Sequence, residues 1–168
     1  TWTQMTANAA WSARNSHSSV VMPDGSIVIL GGQDLYGPKN DVWRSADKGT
    51  TWTQMNPSAG WSARTGHSCV ALPDNSIVLM GGYSNGYKND VWRSTDQGIT
   101  WTQMTANAAW SARNGHSSVA MPDSSIVLMG GGGKNDVWRS TDTGATWTQM
   151  TASAGWSARS THTTVAMP

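Results

Sequence analysis

Short apolar segments separated by polar turns recur along the whole chain. Ser26–Leu30 is continuous, β-branched and aliphatic, which predicts a strand buried on both faces, and it ends at a Gly-Gly pair. His17–Met22, which ends at a Pro-Asp-Gly turn signal, precedes it, and two short segments with a Trp each, Asp41–Arg44 and Trp52–Met55, follow it. No segment has helical periodicity. We therefore predict four short strands, a to d, in about 50 residues.

This pattern occurs three times in full and once in part. Each unit starts with Thr-Trp-Thr-Gln-Met and continues to Trp-Ser-Ala-Arg, with a histidine three residues after the arginine. The units are residues 1–50, 51–99, 100–145 and the incomplete 146–168. The predicted equivalents of strands a to d are His67–Leu72, Ser76–Met80, Asp90–Arg93 and Trp101–Met104, then His116–Met121, Ser125–Met129, Asp136–Arg139 and Trp147–Met150.

The units differ in length at one place only. Between the Gly-Gly pair and a Lys-Asn-Asp tripeptide lie Gln33–Pro38 in the first unit, Tyr83–Tyr87 in the second and Gly132–Gly133 in the third. All other segments keep their length, so they behave as framework. The b–c segment behaves as a variable surface loop.

Repeated four-stranded antiparallel units with a period near 50 predict an all-β fold, a β-propeller made of blades. The chain starts at Thr1-Trp2, the last two positions of a c–d turn, and ends at Pro168, the first residue of an a–b turn. One strand d, three complete a–b–c–d sets and one strand a give about three and a half blades in a single partial propeller. Propellers close with about four to eight blades. We expect part of a longer repeat array, and the alternative is a partial propeller that other chains complete.

Ile-Val-(Ile/Leu)-(Leu/Met)-Gly-Gly, a variable loop, a Trp-bearing strand and a second Trp together resemble a kelch repeat. The Arg-x-x-His-Ser start of strand a also fits that family, and the resemblance covers essentially the whole chain. It implies a propeller of the kelch/galactose-oxidase-like superfamily. It also implies that the face carrying the b–c and d–a loops binds ligands.

A second motif, Ser-x-Asp-x-Gly-x-Thr-Trp, spans the c–d turn and resembles the Asp-box (BNR repeat) of sialidase-like and other mostly secreted propellers. The aspartate can accept backbone N–H groups inside the turn, and the glycine can adopt a positive φ. The resemblance implies a structural role. The residues concerned are Ser45, Asp47, Gly49, Trp52, Ser94, Asp96, Gly98, Trp101, Ser140, Asp142, Gly144 and Trp147.

Candidate ligand-binding residues lie in the b–c and d–a loops, which share one face of a propeller. Aromatic and arginine side chains anchor protein interfaces, aromatic faces suit sugar rings, and arginine forks suit carboxylates. The residues that are identical in every unit could instead serve packing, whereas the tyrosines differ between units as recognition residues would. The candidates are Tyr36, Tyr83, Tyr87, Trp11, Arg14, Trp61, Arg64, Trp110, Arg113, Trp156 and Arg159.

Composition argues against several classes of function. The net charge of +1 argues against nucleic acid as a partner, and no apolar run approaches the roughly 20 residues of a membrane span. The chain has no Glu, and only Asp34 among its aspartates lies outside a repeated motif, so two-carboxylate catalysis is not expected. Histidines at equivalent positions of neighbouring blades lie too far apart for zinc, so we expect no metal and no cofactor. These are His17, His67, His116 and His162.

The sequence therefore predicts a non-catalytic binding or scaffold module that presents its b–c and d–a loops to a protein or a glycan. One alternative is a structural repeat protein that completes a propeller by homo-oligomerisation through exposed blade edges. Another is a non-catalytic part of a secreted carbohydrate-active enzyme. The Asp-box resemblance and the Ser/Thr-rich surface indicate an extracellular or cell-surface location.

Overall fold

The structure of the protein is a computed structural model that describes residues 1–167, and none of these residues is helical. Three four-stranded sheets follow one another along the chain. The first contains β1 (Ser18–Val21), β2 (Ile27–Leu30), β5 (Val42–Ser45) and β6 (Thr53–Asn56), with the small hairpin of β3 (Gln33–Asp34) and β4 (Gly37–Pro38) between β2 and β5. The second contains β7 (Ser68–Ala71), β8 (Ile77–Tyr83), β9 (Tyr87–Ser94) and β10 (Thr102–Thr105), and the third β11 (Ser117–Ala120), β12 (Ile126–Gly131), β13 (Lys134–Ser140) and β14 (Thr148–Thr151).

Each sheet is an antiparallel meander in which consecutive long strands are hydrogen-bonded neighbours. In the first sheet Val20 pairs with Val28, and Ile29 pairs with Trp43. The c–d ladder shifts register once in every sheet, which is the mark of a β-bulge. The predicted all-β fold with four-stranded antiparallel blades is confirmed.

The two outermost strands that the sequence predicted do not form. Thr1–Met5 and His162–Met167 have no strand structure, and Trp2 is fully exposed. An outer strand d pairs with strand c of its own blade and an inner strand a pairs with strand b, and neither partner is among the described residues. Residues 1–167 thus form three complete blades, and Pro168, with the turn predicted there, lies outside the described residues.

The core lies between the blades, because the two faces of each strand b point to different neighbours. Val28 and Leu30 of β2 face the second blade, where they pack with Ile77 and Leu79 of β8. All four side chains are fully buried. Burying an aliphatic side chain of this size stabilises a fold by about 1.5–3 kcal/mol. This alternation explains why strand b has no polar face.

The Gly-Gly pair after strand b allows two chain segments to approach closely. Gly31 and Gly32 have φ of +55° and +84°. A Cβ on Gly32 would lie 2.7 Å from the Cβ of His17, and one on Gly31 would lie 3.0 Å from Cε1 of His67 in the next blade. Any larger residue would therefore displace the histidines that begin strand a.

Within residues 1–167 no helix has the length and apolar character needed to cross a lipid bilayer.

Candidate functional site

The b–c loops and the d–a loops lie side by side on one face of the blades, called here the loop face. Isolated β-bridges join Asn15 to Gln33 in the first blade and Thr65 to Tyr83 in the second. The predicted proximity of the variable segment and Trp-Ser-Ala-Arg is therefore confirmed.

The arginine of Trp-Ser-Ala-Arg clamps its own blade. Arg64 donates from both terminal nitrogens to Asp90, with Nη1–Oδ1 2.7 Å and Nη2–Oδ2 2.8 Å, and Nη1 also donates to the Gly81 carbonyl at 2.8 Å. Such bidentate, charge-assisted bonds are the strong ones in proteins. The same geometry joins Arg14 to Asp41 and Arg113 to Asp136.

The tryptophans of the motif also serve the packing of the blades. Trp61 and Trp110 are 1% and 0% exposed, and each meets the Trp of the following strand d edge-on, with ring centroids 5.9 Å apart for Trp61–Trp101. Trp11 meets Trp52 in the same way. The structure therefore corrects the prediction for this motif: Arg14, Arg64 and Arg113, together with Trp61 and Trp110, serve packing and ion pairing.

The fourth copy of the motif differs, because its arginine has no carboxylate partner among the described residues. Arg159 is exposed, and its guanidinium lies 5.3 Å from the ring centroid of Trp156 and donates only to Ser157. Trp156 is half-buried. Of the predicted Trp-Ser-Ala-Arg set, only this pair presents a charge to solvent.

Sequence reasoning missed the role of the Lys-Asn-Asp tripeptide, which it used only as the end of the variable segment. Asp41 receives both the Arg14 fork and the indole N–H of Trp43, at 2.8 Å. Burial alone would raise the pKa of Asp41, but these hydrogen bonds outweigh it and hold that pKa below its usual value. Asn40 donates to the carbonyls of Ala59 and Trp61 in the loop that leads to the next blade. The sequence contained a signal for this ion pair, since the arginine and the aspartate recur together in every full unit.

The variable loop of the first blade projects Leu35 and Tyr36, which are 97% and 93% exposed. Its base is held by Asp34, which accepts from Lys39 at 2.9 Å and from the Tyr36 N–H at 2.8 Å. The hydrogen bond from Lys39, with that from Tyr36, lowers the pKa of Asp34 to about 2, so this carboxylate is ionised throughout the physiological range.

The variable loop of the second blade is a hairpin that extends β8 and β9. Tyr83 and Tyr87 pair across its ends with ring centroids 5.4 Å apart at 71°, and they remain 45% and 60% exposed. Asn85 and Gly86 turn the chain with positive φ. In the third blade the same position holds only Gly132 and Gly133. The exposed side chains on the loop face therefore differ from blade to blade.

The sequence profile of the KLHDC2/KLHL20/DRC7 Kelch-repeats domain matches residues 1–168. The chain belongs to the Kelch-repeat family. No curated protein matches the chain significantly. Kelch-repeat domains are typically scaffolds for protein–protein interactions, and they are generally non-catalytic.

The c–d hairpins lie on the opposite face of the kelch blades and form self-contained hydrogen-bond networks. Asp47 accepts from the Thr51 N–H at 2.9 Å, the Thr51 hydroxyl at 2.7 Å and the Ser45 hydroxyl at 2.8 Å. Hydrogen bonds from Thr51 and Ser45 lower the pKa of Asp47 to about 2. Gly49 has a φ of +92°, as predicted for this turn. Equivalent bonds hold Asp96 and Asp142.

The histidines of the kelch units are part of the packing between blades. Burial, reinforced by the neighbouring arginines, lowers the pKa values of His67 and His116 to about 3, so both rings are neutral. His67 packs 6.1 Å from the ring of Trp61 and against Gly31 of the preceding blade. Among residues 1–167, no three potential metal ligands cluster.

Proposed function

We propose that this kelch domain binds a protein partner through the tyrosines of its b–c loops. One observation carries the proposal: Tyr36, Tyr83 and Tyr87 project into solvent from the only segment whose length varies between units. The arginines and tryptophans predicted beside them are largely buried. Tyrosine supplies a large, amphipathic contact surface at a low cost in conformational entropy.

The rigidity of the loops supports the same role. Tyr83 and Tyr87 stand on an extended ladder and pack against each other, and Tyr36 follows a turn held by Asp34. Side chains that are already ordered lose less entropy when they bind. Two separate tyrosine-bearing projections, one from the first blade and one from the second, would engage two points on the partner.

The charges nearby favour a partner that carries carboxylates. Lys88, Lys134 and Arg159 lie on the loop face, and none of them forms a salt bridge with any residue in the described part of the chain. Lys134 and Arg159 are exposed, and Lys88 is half-buried. An acidic segment beside an apolar anchor would complement both the cations and the tyrosines.

We also propose that the domain is non-catalytic. The hydrogen bonds and lowered pKa values of its aspartates support this. Asp24 is typical of the a–b turns, where it accepts from Ser26 at 2.6 Å and from Arg44 at 2.7 Å. Every other aspartate likewise accepts hydrogen bonds from residues of its own blade, and the pKa of each of them is lowered. None of them is therefore suited to act as a general acid near neutral pH. The pKa values concerned are those of Asp24, Asp34, Asp41, Asp47, Asp74, Asp90, Asp96, Asp123, Asp136 and Asp142.

Selection of peptides from a displayed random library on the immobilised domain tests the proposal. We expect selected peptides to lose at least about tenfold in affinity when Tyr83→Ala or Tyr36→Ala is introduced, a change of about 1.4 kcal/mol. Thr95→Ala, an exposed position on the opposite face where the first unit already has Ala46, is the control. Equal binding by all variants would contradict the proposal.

Glycan binding is the competing outcome, because tyrosine rings also stack on sugars. Binding of the domain to immobilised oligosaccharides, lost in Tyr83→Ala and absent for peptides, would replace a protein partner by a glycan. The extracellular location stays a prediction from the sequence.

A further inference from the structure

The chain contains two Asn-Gly pairs, at Asn85 and at Asn114. An asparagine followed by glycine is the sequence in which a peptide chain deamidates most readily, because glycine has no side chain to hinder attack by its own amide nitrogen on the asparagine side chain. Both pairs lie on the loop face, the first in the b–c loop of the second blade and the second in the d–a loop that leads to the third blade. They share one local sequence and differ in their surroundings.

The first pair is exposed and loosely held. Asn85 lies at the tip of the hairpin that carries Tyr83 and Tyr87. Within the turn the Ser84 N–H donates to the Gly86 carbonyl, with N–O 3.0 Å, but the N–H of Gly86 itself donates to no acceptor in the described part of the chain. A Cβ on Gly86 would meet nothing within 4 Å. The nitrogen that would attack is therefore free of a hydrogen bond and has open space around it.

The second pair is held between two blades. The Gly115 N–H donates to the Gly66 carbonyl at 2.9 Å, and the Asn114 carbonyl accepts from the Gly132 N–H at 3.0 Å. Asn114 is half-buried, and a Cβ on Gly66 would lie 3.3 Å from the Cβ of Asn114. The nitrogen that would attack is therefore engaged, and the chain around it cannot rearrange without breaking contacts between blades.

We propose that Asn85 is a self-modification site, at which the folded protein converts the tip of the b–c loop of its second blade from a neutral amide to a carboxylate. The reaction needs no enzyme. Its co-reactant is water, which reaches the exposed Asn85 directly. Asn114 has the same following residue but stays an amide while the protein is folded, so the fold selects one of the two asparagines.

The modification proceeds through a cyclic succinimide. The Gly86 nitrogen gives up its proton and attacks Cγ of Asn85. A C–N bond forms, the Cγ–Nδ2 bond breaks, and the side-chain NH2 group leaves with that proton as ammonia. Water then opens the ring at either carbonyl, which gives an aspartate or an isoaspartate whose chain runs through Cγ. One water is consumed for each ammonia released, and nothing is oxidised or reduced.

The product changes both the charge and the shape of the loop. The new carboxylate is ionised at neutral pH, because the ordinary pKa of an aspartate lies well below neutrality. It lowers the formal net charge of the chain, +1, by one unit. The isoaspartate product also lengthens the backbone of the turn by one carbon atom, and this turn is what holds Tyr83 against Tyr87.

An effect on binding follows, and it rests on the proposed function of these loops. A partner that carries carboxylates would meet a negative charge beside Tyr83 and Tyr87 in place of an amide. Like charges that face each other across an interface weaken binding. The affinity for acidic partners would therefore fall as the protein ages.

Incubation of the folded protein at mildly alkaline pH, followed by peptide mapping with mass spectrometry, tests the site. We expect a mass gain at Asn85 equal to the difference between water and ammonia, in peptides whose aspartate and isoaspartate forms separate chromatographically. Because the Gly115 N–H must first lose its hydrogen bond, Asn85 should react at least about tenfold faster than Asn114. In urea, where this bond is lost, the two asparagines should react at similar rates.

The matched variant is Asn85→Gln, which keeps an amide but would have to form a larger ring. Isoelectric focusing of the folded wild type should show a more acidic species that grows with time and is nearly absent in Asn85→Gln. Equal rates at Asn85 and Asn114 in the folded wild type would overturn the proposal. Acidification of Asn85→Gln as fast as the wild type, or an Asn85 that reacts only in urea, would overturn it too.

Acidic peptides selected on the loop face measure the effect on binding. The deamidated species, purified by ion exchange, should bind them about two- to fivefold more weakly than fresh protein, the size of an exposed charge interaction. Unchanged affinity, for peptides that Tyr83→Ala does weaken, would overturn this effect. Peptides that bind Tyr83→Ala as tightly as the wild type would contradict the proposed function instead, and the peptide map would still decide the modification of Asn85.

Discussion

Val42 of the first blade occupies the space that a side chain on Gly98 of the second blade would need. Its Cγ1 lies 2.6 Å from the position of a Cβ on that glycine, which is closer than real Cβ contacts occur. Gly98 also has a φ of +95°. The glycine of this hairpin is therefore required both for the turn and for the junction between blades.

Gly98→Ala separates these two requirements when it is compared with Gly49→Ala. The glycines have nearly the same φ, +95° and +92°, but only Gly98 has a neighbour. We expect Gly98→Ala to lower the free energy of unfolding by about 1–3 kcal/mol more than Gly49→Ala, the usual cost of overpacking. Urea denaturation of both variants measures the difference. Equal losses would mean that backbone strain alone requires the glycine.

Arg64→Ala is expected to destabilise the protein by about 3–5 kcal/mol, because it leaves the Asp90 carboxylate largely buried without its partner. The matched control is Arg159→Ala, in the same motif but exposed and unpaired among the described residues, where we expect a change within about 0.5 kcal/mol. Thermal and urea unfolding check both values. Similar losses for the two variants would show that the cation–aromatic contact dominates over the ion pair.

Acidification should destabilise the protein above the range in which aspartates titrate. His67 and His116 have pKa values of about 3 in the fold, against 6.5 for an ordinary histidine, so the unfolded chain takes up protons first as the pH falls. The stabilisation is complete at pH 7 and is lost progressively from about pH 6.5 towards pH 3. By pH 5 we expect a loss of roughly 1–2 kcal/mol per histidine.

Urea denaturation at pH 7, 6 and 5 measures this loss. The contribution of the aspartates lies lower, because their ordinary pKa is 3.8 and the fold lowers it further. A free energy of unfolding that stays constant from pH 7 to pH 5 would show that the two imidazoles are not held neutral.

The single cysteine reports on the first junction between blades. Cys69 is buried in the cluster that contains Val42, and burial raises the pKa of its thiol to about 12. Labelling by a thiol reagent should therefore be slow in the native protein and become fast in urea. Val42→Ala should accelerate native labelling more than Val91→Ala, its equivalent at the second junction. Equal acceleration would mean that labelling requires global unfolding.

The strands and turns of the blades were predictable because local sequence patterns determine them. The aliphatic run that ends at Leu30 and the Pro-Asp turns define strands that pair with their neighbours in sequence. The observed strands differ from the predicted ones by a few residues at their ends. The terminal strands predicted at Trp2–Met5 and His162–Met167 do not form. A strand is stabilised by its neighbour, and that neighbour is not specified by the strand's own sequence.

The site was predictable only in part. A motif such as Trp-Ser-Ala-Arg does not show whether its arginine points outwards or into the blade, because the decisive partner is far along the chain: Asp90 lies 26 residues beyond Arg64. The exposure of the tyrosines was easier to predict, because a loop whose length differs between units does not belong to the packed framework. Their exposure follows from the same reasoning that singled them out.

The junction between blades joins two different surfaces, and this has a consequence for how such an array can change in evolution. At both junctions a valine of one blade packs on the hairpin glycine of the blade that follows, Val42 on Gly98 and Val91 on Gly144, so the blades fit together in the same way. Duplication or deletion of one whole unit, with its junctions in phase, then leaves each remaining surface matched. Mutations on the loop face can accumulate independently in each copy, which makes the array a means of multiplying binding loops without redesigning the fold.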